Sequence, residues 1–193
     1  MIYPRIKTVI EKSSINSLFI NHIFYTYVKT WRVVEKNMDD LDKKLVSLLQ
    51  NNGKLTMKEL SAELGLSITP IYERLRRLER NEVITGYHAS VNPKKAGFGF
   101  EVFSSVTLES HKSEYLREFE LEIAKFSEVM ECYHLAGTFD FLVKVLVRDM
   151  DEYAEFVNRK LAKLNNIRLV QSMMVLKKIK QTAVLPLVDK VSS

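Results

Sequence analysis

Cysteine is almost missing from this sequence: Cys132 stands alone in 193 residues. An intrachain disulfide is excluded, as is a thiolate cluster for zinc, and a reducing compartment, the cytoplasm, is expected. Glycine (6) and proline (4) are too scarce for a loop-rich or disordered chain. The four histidines, at positions 22, 88, 111 and 134, have no metal-ligand spacing, so no metal or cofactor is expected. A run of about 18 apolar residues, the least that crosses a bilayer, is also lacking. Segment 15–27 is apolar and aromatic, but Asn16, Asn21 and His22 interrupt it. No small-residue cleavage site follows, which argues against a signal peptide; an amphipathic membrane helix is the lesser alternative there, and no membrane partner is expected.

What is present suits a packed globular protein: 46% hydrophobic and 27% charged residues. The net charge of +5 divides unevenly, with +4 on residues 1–37, +2 on 38–95 and −1 on 96–193. The body is thus nearly neutral, and only the position of charge can argue for a nucleic-acid partner. Met38 opens a segment that reads as complete without what precedes it. Residues 1–37 read as an N-terminal extension of uncertain order, or as upstream sequence read from an early start codon, and no function is assigned to them.

From Asp39 the pattern sharpens. Asp39, Asp40 and Asp42 put negative charge at a helix start, where the macrodipole favours it. Leu41, Leu45, Leu48 and Leu49 recur as one apolar stripe, and Asn51-Asn52-Gly53 predicts a left-handed stop. Thr56 and Glu59 form a capping box for a second helix with Leu60 and Leu64 inward. Gly65 allows a sharp turn, Ser67 is a plausible N-cap, and Pro70 is tolerated in the first turn of a third helix that buries Ile71, Leu75 and Leu78. Two short helices joined through a glycine turn are the helix-turn-helix signature. Opposite the buried residues lie Thr69, Glu73, Arg76, Arg77 and Arg80, with Tyr72 beside them. In such a motif the start of the second helix meets base edges and basic residues further along hold phosphates. Ser67, Thr69, Pro70, Tyr72 and Glu73 are therefore candidates for the groove, and Arg74, Arg76, Arg77 and Arg80 for the backbone. Arg74 flanks the core and could instead lie along the protein surface. The competing reading is a solvated face, its arginines paired with Glu73, Glu79 and Glu82. A helix-turn-helix domain of winged type is expected over 38–92, where 85–92 read as a short hairpin or linker. A linker over 93–99 follows.

Residues 100–188 read as a second domain. Segment 101–108 is a β-branched strand; 113–126 a helix with Leu116, Phe119, Ile123 and Phe126 on one face; 129–136 a strand; 137–140 a tight turn; and 141–147 a strand. Asp149 with Glu152 opens a helix burying Tyr153, Phe156 or Val157, Leu161 and Leu164; Asn165-Asn166 ends it, and 167–179 is the last strand. The fold class is α+β, with a ferredoxin-like βαββαβ order that puts both helices on one face of an antiparallel sheet. The other face must meet solvent or a partner, so dimerisation through it is expected. For Cys132, Tyr133, His134, Met173 and Met174, packing or an interface is favoured over chemistry.

This order of motifs resembles the Lrp/AsnC (leucine-responsive, feast/famine) family of bacterial and archaeal regulators, over about residues 39–188. The resemblance is carried by Leu41-Asp42, by Leu64-Gly65-Leu66-Ser67, Thr69-Pro70 and Glu73-Arg74-Leu75-Arg76-Arg77-Leu78-Glu79, by Val83-Ile84, and by Gly137-Thr138-Phe139-Asp140-Phe141. It implies a sequence-specific transcription regulator that binds double-stranded DNA as a homodimer, often assembled further to an octamer, with an amino-acid effector in clefts between dimers. The effector would then meet Leu135, Ala136, Gly137, Thr138, Phe139 and Asp140, with Gln171 and Ser172 nearby. Gly137 permits close approach, turn amides can hold a carboxylate, and Asp140 could pair with an α-ammonium. The alternative is that Gly137 and Asp140 merely build a hairpin. Two other functions compete: an architectural DNA-binding protein without effector, and a haem-biosynthesis decarboxylase-like enzyme, for which His134 is the nearest candidate. The cationic helix face has no purpose in that enzyme, so no catalytic residue is expected.

Overall fold

A computed structural model describes residues 38–187; the extension expected over 1–37 and the domain end at 188 lie outside it. The described chain forms two compact units, one of residues 38–88 with 183–187 and one of residues 89–182.

The first unit holds α1 (Asp40–Asn51), α2 (Met57–Leu64) and α3 (Ile68–Arg80). A reciprocal capping box starts α1: the Asp42 N–H donates to the Asp39 carboxylate at 2.8 Å, and the Asp39 N–H to the Asp42 carboxylate at 3.1 Å. Its buried stripe is Asp42, Leu45, Val46 and Leu49, turned from the expected one, and Leu41 and Leu48 are only half-buried. A carboxylate can occupy that stripe because α3 supplies cations to meet it. The left-handed stop expected at Asn52-Gly53 does not form. Asn52 is extended, with φ −146°, and its side chain accepts the Lys54 N–H at 3.1 Å, an Asx turn that ends the helix without a left-handed residue. Thr56 and Glu59 do form their box, and Gly65 is left-handed at φ 65°. Ser67 occupies the N-cap of α3, but its hydroxyl makes no capping bond. Residues 85–92 contain no strand, so this stretch is linker rather than hairpin.

The apolar core of this unit is Leu45, Val46, Leu49, Leu60, Ile71, Leu75 and Leu78. Residues 183–187, expected with the second domain, pack here too. The Leu185 N–H donates to Gln50 Oε1 at 2.7 Å and Gln50 Nε2 to the Leu185 carbonyl at 3.3 Å. Leu187 lies against the core.

The second unit runs β1 (Phe100–Leu108), α4 (Ser113–Ile123), β2 (Val129–His134), β3 (Phe141–Val147), α5 (Met150–Glu155) and β4 (Ile167–Met174). The strands form one antiparallel sheet in the order β2-β3-β1-β4. Cross-strand pairs Val102 with Val145 and Val106 with Phe141 set one face of the sheet against both helices. There the core is built from Val102, Val106, Leu108, Phe141, Val143, Val145 and Val147, with Phe119 and Ile123 from α4 and Tyr153, Phe156 and Leu161 beyond. α5 passes into a π-helical turn, Phe156–Lys160, where the Leu161 N–H donates to the Phe156 carbonyl. The wider turn brings Phe156 and Leu161, five residues apart, to the same buried side.

Three elements are shorter than the sequence suggests. α4 ends at Ile123, although Phe126 still packs edge-on against Phe156. β2 stops at His134, because the Leu135 N–H turns to the Asp140 carbonyl at 2.8 Å. β4 ends at Met174, which pairs with Val102 near the start of β1; one more bond, from the Val175 N–H to the Glu101 carbonyl at 3.0 Å, follows before the chain leaves the sheet. Leu176 is left 98% exposed.

Candidate DNA interface and effector turn

Helix α3 presents a split face. Ile71, Leu75 and Leu78 are buried, whereas Ser67, Thr69, Tyr72, Glu73, Arg76 and Arg80 are exposed and Pro70 is half-buried. The first turn thus offers hydroxyls, a phenol and a carboxylate, groups that can bond base edges. Further along, Arg76 donates through Nε to the Tyr72 hydroxyl at 3.1 Å, lies over that ring at 5.3 Å, and reaches Glu79 at 3.4 Å. Of the carboxylate pairings that would make this a self-neutralised face, only Arg76–Glu79 forms. Glu73 and Arg80 have no ion pair among the described residues.

Two of the arginines behave differently. Arg77 Nη2 donates to both oxygens of Asp42, at 2.7 and 2.6 Å. Arg74 Nη1 donates to Asp42 at 2.8 Å and to Asp39 at 2.5 Å. Asp42 is 1% exposed, and the two guanidiniums replace its lost hydration. The Asp42 N–H, and then Arg74, hold the Asp39 carboxyl below its usual range. The reach of Arg74 along the protein surface is therefore one the sequence left open, and Arg77 joins it there while staying partly accessible. Asp42 itself was overlooked as a partner. Its signal was legible: an acid at i, with Leu45, Val46 and Leu49 at i+3, i+4 and i+7, sits on a buried stripe and needs a cation.

In the second unit the turn 135–140 joins β2 to β3. Asp140 is fixed at every polar atom: its N–H donates to the Val106 carbonyl at 3.0 Å, and its Oδ2 accepts the Leu108 N–H at 2.7 Å. Its Oδ1 lies 3.0 Å from His111 Nε2. Leu135, Ala136, Gly137 and Thr138 are exposed, and Phe139 is half-buried. Gly137 has neither a positive φ nor any atom within 4 Å of where a Cβ would stand. Gln171 and Ser172 do not share a direction. Gln171 pairs with Ser105 on the uncovered face, while the Ser172 hydroxyl accepts from Tyr153, which also bonds buried Ser104 at 2.9 Å. His134 stacks on Phe141 at 4.6 Å with Nδ1 3.5 Å from Glu120, a packing role. Burial, with the Glu120 charge adding, pushes the Cys132 thiol up to about 11, so it stays protonated at neutral pH although part of its surface reaches solvent.

Comparison with known proteins agrees with both halves. Residues 38–85 match the family model described as winged helix-turn-helix DNA-binding, and residues 101–185 that of the Lrp/AsnC ligand binding domain. The leucine-responsive regulatory protein of Haemophilus influenzae is 37% identical over 147 residues, 76% of this chain and 89% of that protein. Its Escherichia coli counterpart is 34% identical over 76% of this chain and 90% of its own length. Among solved structures, a Neisseria meningitidis transcriptional regulator in complex with L-Met is similar with a TM-score of 0.74 at 33% identity, covering 78% of this chain and 97% of that one. An AsnC family regulator from Agrobacterium tumefaciens gives 0.74 at 37% identity with the same coverage.

Proposed function

Because this chain belongs to the Lrp/AsnC family of DNA-binding transcription regulators, we propose that α3 is its recognition helix and that an amino acid acting on residues 100–188 regulates it. Ser67, Thr69, Pro70, Tyr72 and Glu73 face the base edges of a major groove, and Arg76, Arg80 and the accessible part of Arg77 meet phosphates. The observation that carries this reading is the combination of an exposed, incompletely neutralised cationic side on α3 with a second pair of arginines that fastens the same helix to Asp42. Arg74 serves that fastening.

Duplex binding measured by fluorescence anisotropy across salt tests it. Glu73→Ala changes the ranking of selected genomic fragments, whereas Arg80→Ala weakens every duplex and lowers the slope of log K against log salt by about 1. If both variants bind all duplexes as the parent does, α3 is not the reading head. Equal affinity of the parent for selected and random duplexes would point to an architectural, DNA-coating role instead.

The effector is a free amino acid held at the turn 135–140, with Gln171 beside it. Supporting this, nothing in the chain's own packing or backbone requires glycine at 137, yet a ligand passing close to the turn does. Ser172 joins the site only if its bond to Tyr153 is given up. The uncovered sheet face carries a homodimer, on which octamers are built. An effector shifts that assembly, or its geometry, by binding one state better than the other. Thermal shift and sizing with each of the twenty amino acids check this, and no response to any of them would remove the effector.

A further inference from the structure

The carboxylate assigned to an amino-acid effector is already occupied. Asp140 cannot swing, since its N–H and C=O are tied to Val106 and Leu135 and its Oδ2 to the Leu108 N–H. Only Oδ1 faces a side chain that can leave, the imidazole of His111 at 3.0 Å, itself 63% exposed. That imidazole is not there by drift. Its neighbour Ser110 is gripped on both sides by Asn166, which accepts the Ser110 N–H at 3.0 Å and donates to the Ser110 carbonyl at 2.8 Å. The Glu109 N–H bonds the Asn166 carbonyl at 2.9 Å, and Asn166 holds this position in the left-handed region at φ 66°.

We propose that His111 is a built-in competitor at the effector site: its ring holds the acceptor that an α-amino group needs, and an amino acid binds by displacing it. This rests on the effector reading above. An α-ammonium brings a full charge and three donors to Oδ1, a stronger partner than an exposed ring nitrogen. The displaced imidazole moves into water that already bathes most of it, so the exchange costs no more than its hydrogen bond to Asp140. A ligand with the same carboxylate and side chain but no amine offers nothing to Oδ1, leaves the His111–Asp140 pair intact and does not compete with it. His111 thereby sets how tightly an amino acid is held without touching the affinity for the plain carboxylic acid that resembles it.

Calorimetry on the full chain with L-methionine, the ligand seen in the Neisseria relative, and with its desamino counterpart 4-(methylthio)butanoic acid tests the competition. His111→Ala is expected to bind L-methionine about three- to tenfold more tightly, the worth of one hydrogen bond to a charged group. His111→Gln, which keeps an N–H donor at similar reach, stays within about twofold of the parent. Neither variant changes binding of the desamino acid. Weaker or unchanged L-methionine binding by His111→Ala overturns the proposal, as does an equal gain for both ligands, which would mean a general loosening of the turn. If none of the three proteins binds L-methionine or any other of the twenty amino acids, the effector reading falls and the competition with it; binding that ignores position 111 removes the competition alone.

Discussion

Asp42 links α1 to α3 through charge, beside the apolar core the two helices share. It is buried within an apolar stripe, and its charge is met by Arg74 and Arg77 from another helix. Removing one partner of such a cluster strands the others. The full cost for buried pairs is about 3–5 kcal/mol, and the partial exposure of both arginines lowers it here to about 2 kcal/mol. Asp42→Ala is therefore expected to lose about 2 kcal/mol in urea unfolding followed by circular dichroism, with Asp42→Asn between it and the parent. A loss below about 0.5 kcal/mol would mean that the arginines find equal partners in water. The same cluster makes Arg77→Ala a mixed probe of DNA binding, because it loosens the helix as well as removing a cation.

Asp39 gives that region an acid limit. Its folded carboxyl titrates below its ordinary value, through the Asp42 N–H first and Arg74 second. A depressed carboxyl contributes stability that is present above the unfolded pKa and is lost as pH falls through the folded one. For Asp39 the loss begins near about pH 4 and deepens below it. Asn is as good an N-cap but does not titrate. Asp39→Asn should accordingly be less stable than the parent at neutral pH, having lost the negative charge that pairs with Arg74, and the two should converge at lower pH. Urea midpoints between pH 2.5 and 7 decide it; parallel curves would show that the cap's charge contributes nothing.

At the scale of elements, periodicity and caps made most of the fold legible before any coordinates. The capping box at Thr56 and Glu59, the left-handed Gly65 and the inward triplet Ile71, Leu75 and Leu78 stand where the sequence puts them. So does β3, over the same residues 141–147. What escaped was decided by long-range partners. β4 reads as longer than it is because the apolar residues of a strand do not reveal how far its neighbour extends to pair with them. The π-helical turn is invisible to a 3.6-residue period, which left Phe156 and Val157 undecided; Phe156 is the one buried. On the candidate site, exposure along α3 was legible from period alone. The turning of Arg77 to Asp42 and of Ser172 to Tyr153 was not, since both depend on elements tens of residues away.

The C-terminal segment is another such long-range feature. Gln50 reads the backbone of Leu185 through a reciprocal pair of hydrogen bonds, and Leu187 lies on the helical core. Ending the chain after Thr182 uncovers apolar surface there and leaves Gln50 to water. Burial of one leucine side chain and one pair of hydrogen bonds are together worth about 2–3 kcal/mol, less the entropy of ordering the segment. Hydrogen exchange in α1 should rise in the truncated protein, while amides of β1 and β3 stay as protected as in the full chain. Unchanged protection of α1 would show that the segment rests on the helix without supporting it.

For the whole molecule, the question is what covers the second side of the sheet. Phe103, Leu142, Leu146, Leu169 and Met173 line it, and Leu169 and Met173 are each 47% exposed in the single chain. Near its middle, Ser105 and Thr107 are short and buried between taller neighbours, which leaves a shallow floor with an apolar rim along β4 and the Lys144–Glu131 pair toward β2. Such a surface suits a second copy in an isologous dimer, where each residue of the patch occurs twice. A charge at Leu169 would then be buried twice per dimer, for a combined cost of about 3 kcal/mol or more, equivalent to roughly 100-fold in the dimer dissociation constant. Leu169→Glu is expected to sediment as a monomer at micromolar concentrations where the parent is a dimer or larger, with an unaltered far-ultraviolet circular dichroism spectrum. If the proposed dimer sets two α3 helices on one duplex, the variant's DNA affinity should fall in the same range of protein concentration. A variant that still sediments with the parent would place the dimer contact elsewhere on the chain, and the apolar rim along β4 would have no partner in the assembly.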